Sequence, residues 1–324
     1  MVKDKVLEEL EKSKGIAVSG EALARKLGVS RTAVWKAVNS LREDGFDIKK
    51  SQSVGYILSE DSDRISTEGI SSHLRHQIAL SVHESVDSTN TRAMALAAEG
   101  TTYPAAVIAG EQTAGRGRMG RRFYSPKDKG IYLSIIIRPA MSTEASLLIT
   151  SAAAVAVAQS IRSICGLDAG IKWVNDIYLG GKKICGILTE GIADFESGQI
   201  SQLIVGIGIN CSSSDFKSNS LENKAGALDI KGLERNRLIA AIIDRFLDIV
   251  EAIGNGDSSF INDYRDLSVV IGKQITVYPT PVTDMDNRYS ATAVDIDDRG
   301  GLVVRLDDGS QTTLSTGEIT IRLR

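Results

Sequence analysis

Gly110-Glu111-Gln112-Thr113-Ala114-Gly115-Arg116-Gly117-Arg118-Met119-Gly120-Arg121-Arg122 contains a literal G-x-G-x-x-G at Gly115, Gly117 and Gly120, and its reading decides what kind of α/β fold surrounds it. A dinucleotide-binding loop opens a helix, whereas Ser125-Pro126 and then an apolar run follow here. A protein kinase needs a His-Arg-Asp loop, and no His occurs after position 83. With both excluded, the segment is four Arg in seven residues on a backbone loosened by Gly. Such a loop repels itself without an anion, and guanidinium forks suit phosphate or carboxylate. It is therefore expected to be a lid that closes over an anionic ligand.

The loop lies inside a region of α/β grammar from 82 to about 253. Strand-like runs at 82–86, 105–112, 131–138, 171–179, 184–190 and 202–210 alternate with helical stretches at about 88–99, 144–164 and 232–253. The Ala-rich 144–164 helix would face a sheet with Leu147, Leu148, Ala152, Val155 and Ile161. Lys172-Trp173-Val174-Asn175-Asp176 places an Asn-Asp pair in the middle of an expected strand. That opposes β-propensity and calls for a partner such as a metal, a ribose or a buried hydrogen bond. Lys183 stands at the mouth of the next apolar strand, where its ammonium could meet a carboxylate or phosphate. Gly206 and Gly208 in Ile204–Asn210 indicate that something approaches the strand backbone closely. Asp87-Ser88-Thr89-Asn90 ends a strand and caps a helix, and capping alone would account for it.

Both flanks read differently. Residues 19–38 spell helix, tight turn, helix: Ala24 permits a close crossing, Gly28 supplies the left-handed turn residue, and Ser30 caps the second helix. Val34, Ala37, Val38 and Leu41 would face inward. Ser30, Arg31, Thr32, Trp35 and Lys36 would be presented where a recognition helix meets a major groove. Residues 46–50 and 54–58 suggest a two-stranded wing carrying Lys49, Lys50, Gln52 and Ser53, so DNA binding is expected rather than protein docking alone. Beyond 270, strands at Gln274–Tyr278, Ser290–Asp297, Leu302–Leu306 and Gln311–Arg322 joined by Asp/Gly turns suggest a small β-barrel.

Composition narrows the chemistry. The 324 residues hold three His, all between 73 and 83, and the scattered Cys165, Cys185 and Cys211. No CxxC or HExxH exists, so neither a structural zinc site nor a zincin has its ligands, and His73 and His76 are expected on a solvated helix face. Unclustered cysteines, no N-terminal apolar segment and no 18-residue uncharged apolar run point to a cytoplasmic chain with no membrane partner. A net charge of −3 requires any nucleic-acid site to be local. An Arg-Gly lid, a Lys, an Asn-Asp pair and a helix N-terminus around one sheet suit a reaction that positions two anions, such as activation of a carboxylate by ATP.

The motifs Asp87-Ser88-Thr89-Asn90, Gln112–Arg118, Lys172-Trp173-x-Asn175-Asp176, Lys183-x-x-Gly186-Ile187-Leu188-x-Glu190 and Gly206–Asn210 resemble, in order and spacing, the biotin protein ligases. With the N-terminal winged helix, the whole chain is similar to their bifunctional repressor form. Val174 and Phe123 depart from the Pro and Trp common in the family. The resemblance implies an α/β multidomain chain: a winged helix-turn-helix at 1–62, a mixed α/β ligase domain at 63–268 and an SH3-like β-barrel at 269–324. It implies that MgATP and biotin are substrates, with no permanently bound cofactor. They form biotinyl-5′-AMP, which acylates a lysine of biotin carboxyl carrier protein.

Ser88, Thr89, Asn90 and Gln112 would line the biotin site together with Arg116, Gly117, Arg118, Lys183, Gly186, Gly206 and Gly208. Arg118, Arg121, Asn175, Asn210 and Arg322 would bind nucleotide. Lys183, Arg116, Arg118 and Asp176 would carry catalysis, Asp176 as the Mg²⁺ ligand through the substrate or to orient the acceptor lysine. The partners implied are operator DNA and a second copy of the chain when biotinyl-AMP is bound. A lipoate-type ligase and a non-catalytic effector-binding transcription factor are the alternatives.

Overall fold

The computed structural model describes all residues except 52–54, 139–147, 194–199, 218, 220, 222–224, 279–287, 316–317 and 322–324. The described chain divides into two compact units, one of residues 1–77 with 230–241 and the other of 78–229 with 242–324.

In the first unit, helices α1 (Val2–Lys12), α2 (Gly20–Leu27) and α3 (Arg31–Glu43) precede strands β1 (Ile48–Ser51) and β2 (Gly55–Leu58), which pair antiparallel with Ile48 opposite Leu58. Ser19 caps α2 by accepting from the Glu21 and Ala22 amides at 3.2 and 3.4 Å. Gly28 ends α2 at φ 65°, a left-handed conformation that a side chain would oppose. Ser30 then caps α3 through the Ala33 amide at 3.1 Å. Val34, Ala37, Val38 and Leu41 join Val6, Leu10 and Leu23 in one buried core. The expected wing residues Gln52 and Ser53 lie outside the described residues. The short helix α4 (Thr67–Ser71) ends before His73 and His76, which therefore follow a helix instead of lying on its face. Arg235 brackets Asp63, its Nε donating to Oδ2 and its Nη2 to the Asp63 carbonyl, each at 2.6 Å.

The second unit is built on a seven-stranded sheet. Its strands are β3 (Ala79–His83), β4 (Ala105–Ala109), β5 (Gly130–Ile137), β6 (Gly170–Lys172), β7 (Asp176–Leu179), β8 (Lys182–Ala193) and β9 (Ile200–Asn210), in the order β3-β4-β5-β9-β8-β7-β6. Only β3 and β4 run parallel, and α5 (Thr89–Ala98) lies between them in sequence. All other neighbours are antiparallel. β5 sits between β4 and β9 and is buried at all eight positions, as a strand covered on both faces must be. The apolar helix Ile149–Cys165 buries Ala152, Val155 and Ile161, and its Thr150 hydroxyl reaches Thr189 on β8 at 2.8 Å. Leu147 falls outside the described residues.

The expected strand 171–179 is in fact two strands. Residues 173–175 form the turn of an antiparallel hairpin in which Lys172 pairs with Asp176. Asn175 is thus a turn residue, and only Asp176 lies in a strand, as the first residue of β7. In the same unit, β10 (Gln274–Tyr278), β11 (Tyr289–Ile296), β12 (Leu302–Arg305), β13 (Gln311–Leu314) and β14 (Glu318–Ile321) form an antiparallel sheet in the order β13-β12-β11-β10-β14. Its Gly300 carbonyl accepts from the Trp173 indole at 3.0 Å, tying this sheet to the β6–β7 hairpin.

Candidate active site

A cavity of about 380 Å³ opens in the second unit where the start of α5, the Arg-Gly loop, the β6–β7 hairpin and strands β8 and β9 meet. Ser88, Thr89, Asn90, Gln112, Arg116, Gly117, Arg118, Arg121, Asn175, Asp176, Lys183, Gly186, Gly206 and Gly208 all line it. Asn210 does not, and its amide donates instead to the Gly226 carbonyl at 2.9 Å. Arg322 lies outside the described residues.

One end of the cavity is neutral and densely hydrogen-bonded. Ser88, Thr89 and Asn90 are buried, and Ser88, although it is the N-cap of α5, makes no capping bond with its hydroxyl. Capping therefore does not explain the motif. Gln112 Oε1 accepts from the Thr89 amide at 2.8 Å, and Gln112 Nε2 donates to Ser125 Oγ at 2.8 Å. Ser134 Oγ, fully buried in the centre of β5, lies 2.7 Å from Thr89 Oγ1 and 2.6 Å from Asn90 Oδ1. Asn90 Nδ2 donates to Glu190 Oε2 at 2.7 Å and to the Leu188 carbonyl at 3.3 Å.

The two strand glycines are explained by this packing. A Cβ on Gly206 would stand 2.2 Å from Asn90 Oδ1, and one on Gly208 would stand 2.5 Å from the Phe123 ring. What approaches the β9 backbone closely is the protein itself.

The other end is cationic. Arg116, Arg118, Arg121, Arg122, Lys172 and Lys183 line it with one carboxylate, Asp176, among the described lining residues, and Glu190 stands behind Arg116. Lys183 Nζ pairs with Asp176 Oδ1 at 2.5 Å, and Arg118 donates to Asn175 Oδ1 at 3.0 Å. Asn175 is itself fixed by donating to the Ile187 carbonyl at 2.6 Å. The Arg-Gly loop folds back on itself through Gly117 N to Arg121 O at 2.7 Å and Phe123 N to Gly115 O at 2.9 Å. Arg116 reaches Glu190 at 2.9 Å. Burial, and secondarily the charge of Asp176, raise the Tyr178 hydroxyl above its ordinary range, and it accepts from Lys172 Nζ at 3.5 Å. Burial likewise pushes the Cys185 thiol far up, which removes it as a nucleophile.

In the first unit, Ser30, Arg31, Thr32, Trp35 and Lys36 are exposed at the N-terminal half of α3, and Lys49 and Lys50 are exposed on β1. The Ser30 hydroxyl already accepts the capping bond. Lys49 Nζ lies 3.8 Å from Asp47, the residue before that strand.

Residues 82–210 match the Biotin/lipoate A/B protein ligase family, residues 270–322 the Biotin protein ligase C terminal domain and residues 3–57 an HTH domain. The Bifunctional ligase/repressor BirA of Bacillus subtilis (strain 168) is 32% identical over 304 residues, spanning 90% of each chain. The chain belongs to the bifunctional ligase/repressor family of biotin protein ligases.

The namesake from Escherichia coli (strain K12) is 28% identical over 94% of this chain and 92% of its own. The fold of this family member is shared with a biotin protein ligase from Aquifex aeolicus solved in complex with biotin and ATP. The two superpose with a TM-score of 0.63 at 24% identity, over 75% of this chain and 98% of that one.

Several residues of the family member's cavity were not singled out from sequence. Ser134 is one, and its signal was present: a lone hydroxyl in the otherwise apolar run Ile131-Tyr132-Leu133-Ser134-Ile135-Ile136-Ile137 needs a buried partner. Ser125 under Gln112 and Lys172 beside Tyr178 carry no comparable mark, because each depends on a contact across the fold.

Proposed function

We propose that the chain joins biotin to ATP as biotinyl-5′-AMP and then transfers biotin to a lysine of biotin carboxyl carrier protein, and that the same intermediate makes it a repressor. The observation that carries this reading is the division of one cavity into a neutral, prebonded end and an end with six cations. A biotin head group is an uncharged cyclic urea, and its valerate carboxylate and the nucleotide phosphates are anions. One ligand pair therefore uses both ends.

The carboxylate oxygen of biotin attacks the α-phosphorus of ATP, and the bond to the β-phosphate oxygen breaks as pyrophosphate leaves. Lys183 holds the carboxylate and α-phosphate as charge builds between them, and Arg116 and Arg118 screen the two anions from each other. Asn175 orients Arg118, and Arg121 meets the nucleotide. Asp176 would offer one carboxylate to the magnesium of MgATP, in keeping with the few protein ligands Mg²⁺ takes beside phosphates. Among the described residues no group of three or more His, Cys, Asp or Glu could hold a metal. In the second step the lysine amine attacks the acyl carbon and AMP leaves, so no enzyme nucleophile is needed. Cys185 and the three His take no part.

We assign DNA binding to residues 1–62, ligation to 63–268 and support of the site to 269–324. Arg31, Thr32, Trp35 and Lys36 would meet the major groove, and Lys49 and Lys50 the phosphates. Dimerisation of the biotinyl-AMP form would place two such helices on a two-fold operator. No helix among the described residues is long and apolar enough to cross a membrane, which fits work in the cytoplasm.

The decisive experiment is mass spectrometry of the intact protein after incubation with biotin and MgATP, beside a lipoate control. Biotinyl-adenylate and pyrophosphate are expected from biotin alone. Their absence, or an equal yield from lipoate, would overturn the assignment.

A further inference from the structure

Glu190 Oε2 accepts from two sides. Asn90 Nδ2 donates to it at 2.7 Å from the floor of the cavity, and Arg116 Nη2 donates at 2.9 Å from the Arg-Gly loop. A carboxylate oxygen flanked by a guanidinium only accepts, so its place fixes which way the Asn90 amide points. The Leu188 carbonyl, on the same Nδ2 at 3.3 Å, agrees. Asn90 Oδ1 is thereby turned to Ser134 at 2.6 Å. An amide oxygen cannot donate, so the single hydroxyl proton of Ser134 goes to Asn90. Ser134 then has only lone pairs for its other neighbour, Thr89 Oγ1 at 2.7 Å, and the Thr89 proton is spent on Ser134. Every hydrogen in the chain points toward Glu190.

We propose that Glu190 is a positioning residue which, through Asn90 and Ser134, commits the Thr89 hydroxyl to face the ligand as an acceptor and so selects a head group that offers an N–H there. This rests on the biotin reading of the cavity, whose cyclic urea supplies such a group. The Thr89 hydroxyl has a second acceptor in reach, Gln112 Oε1 at 3.1 Å, but the 2.7 Å contact to Ser134 is the shorter, and whichever oxygen takes the proton the hydroxyl keeps none for the ligand. Reversing the polarity would leave two acceptors facing each other beside a buried carboxylate. Buried polar groups without a partner are costly enough to hold the direction.

The test is calorimetric binding, without ATP, of biotin and of the two cyclic carbamates in which a ring oxygen replaces one ureido N–H. The wild-type chain is expected to disfavour one carbamate by about tenfold or more, the range in which a buried acceptor rejects a ligand lacking its donor. Glu190→Gln keeps an acceptor atom for Asn90 and Arg116 and should keep that ratio. Glu190→Leu removes it, leaves Asn90 Nδ2 only the longer 3.3 Å contact to the Leu188 carbonyl, and should lower the ratio toward unity. Glu190→Ala carries the same expectation if the Leu variant does not fold.

A purely structural role for Glu190 predicts weaker binding of all three ligands with the ratio intact, and that result would overturn the proposal. So would a Gln variant that loses discrimination as the Leu variant does, or a wild-type chain that binds biotin and both carbamates alike. A wild-type chain that binds no biotin would instead overturn the ligase reading and the inference with it.

Discussion

At the floor of the cavity Thr89 and Asn90 are each 4% exposed and Ser134 is wholly buried, linked to one another by hydrogen bonds of 2.6–2.7 Å. At the rim the Arg116 side chain is 43% exposed and that of Lys183 35%, each held by one carboxylate. Thr89, Asn90, Arg116 and Lys183 line the same space, with Ser134 behind the floor, yet the two sets meet the cost of order at different times. The floor is fixed when the sheet folds, because its donors and acceptors cannot be left unpaired in a dry interior. The rim stays solvated, and each long cationic side chain that a ligand orders costs up to about 2 kcal/mol of rotamer freedom. A neutral head group, which offers few strong contacts, needs the prebuilt end. Phosphates and a carboxylate give enough charge-assisted bonding to organise the other end on arrival.

Several substitutions test that division. Lys183→Ala should be the most severe, lowering adenylate formation about 10²–10³-fold, as removal of a transition-state donor does, with a much smaller loss of biotin affinity. Pyrophosphate release and biotin calorimetry on the same variant check this, and equal losses would break the distinction between rim and floor. Gly206→Ala drives a methyl toward Asn90 Oδ1 and should cost about 1–3 kcal/mol of stability, the usual overpacking penalty, together with biotin affinity. Thermal unfolding and ligand titration read both, and ATP binding should be unchanged.

Ser134→Ala leaves Asn90 Oδ1 without its donor. Biotin binding should weaken by about tenfold, in line with a buried group losing one hydrogen bond, while the Michaelis constant for ATP holds. Arg122→Ala, whose guanidinium reaches the Thr113 carbonyl at 3.2 Å, should have the smallest effect. A rise of about two- to fivefold in that constant, vanishing at high salt, is expected for a screened, exposed charge. A salt-independent effect would mean that the rim is more ordered than its exposure suggests.

The sequence located most of these groups because their spacing along the chain carries their roles. Four Arg among glycines and two Gly within an apolar strand are local anomalies. The inference failed where an anomaly was judged by its immediate neighbours. The sequence pattern puts Asn175 and Asp176 inside one strand, but the turn at 173–175 takes Asn175, which bonds to Ile187 and Arg118, and leaves only Asp176 to open β7. Its position alone makes Ser88 a cap, yet its hydroxyl makes no capping bond. Local pattern does not state which donor a side chain finds, since that donor sits on another element.

By itself the sequence determined the helix-turn-helix, from Gly28 as turn residue and Ser30 as cap, and the alternation of strands and helices that follows it. Those features are set by backbone geometry and by side chains within four residues of one another. It also determined that the chemistry must rest on Arg, Lys and Asp, because it holds only three clustered His and three scattered Cys. Only the tertiary structure decided the antiparallel order of the sheet, the burial of Ser134 beneath Thr89 and Asn90, and the meeting of Asn90 and Arg116 on Glu190. These contacts join residues 44 to 100 positions apart, and the direction of a hydrogen bond exists only once both partners are in place.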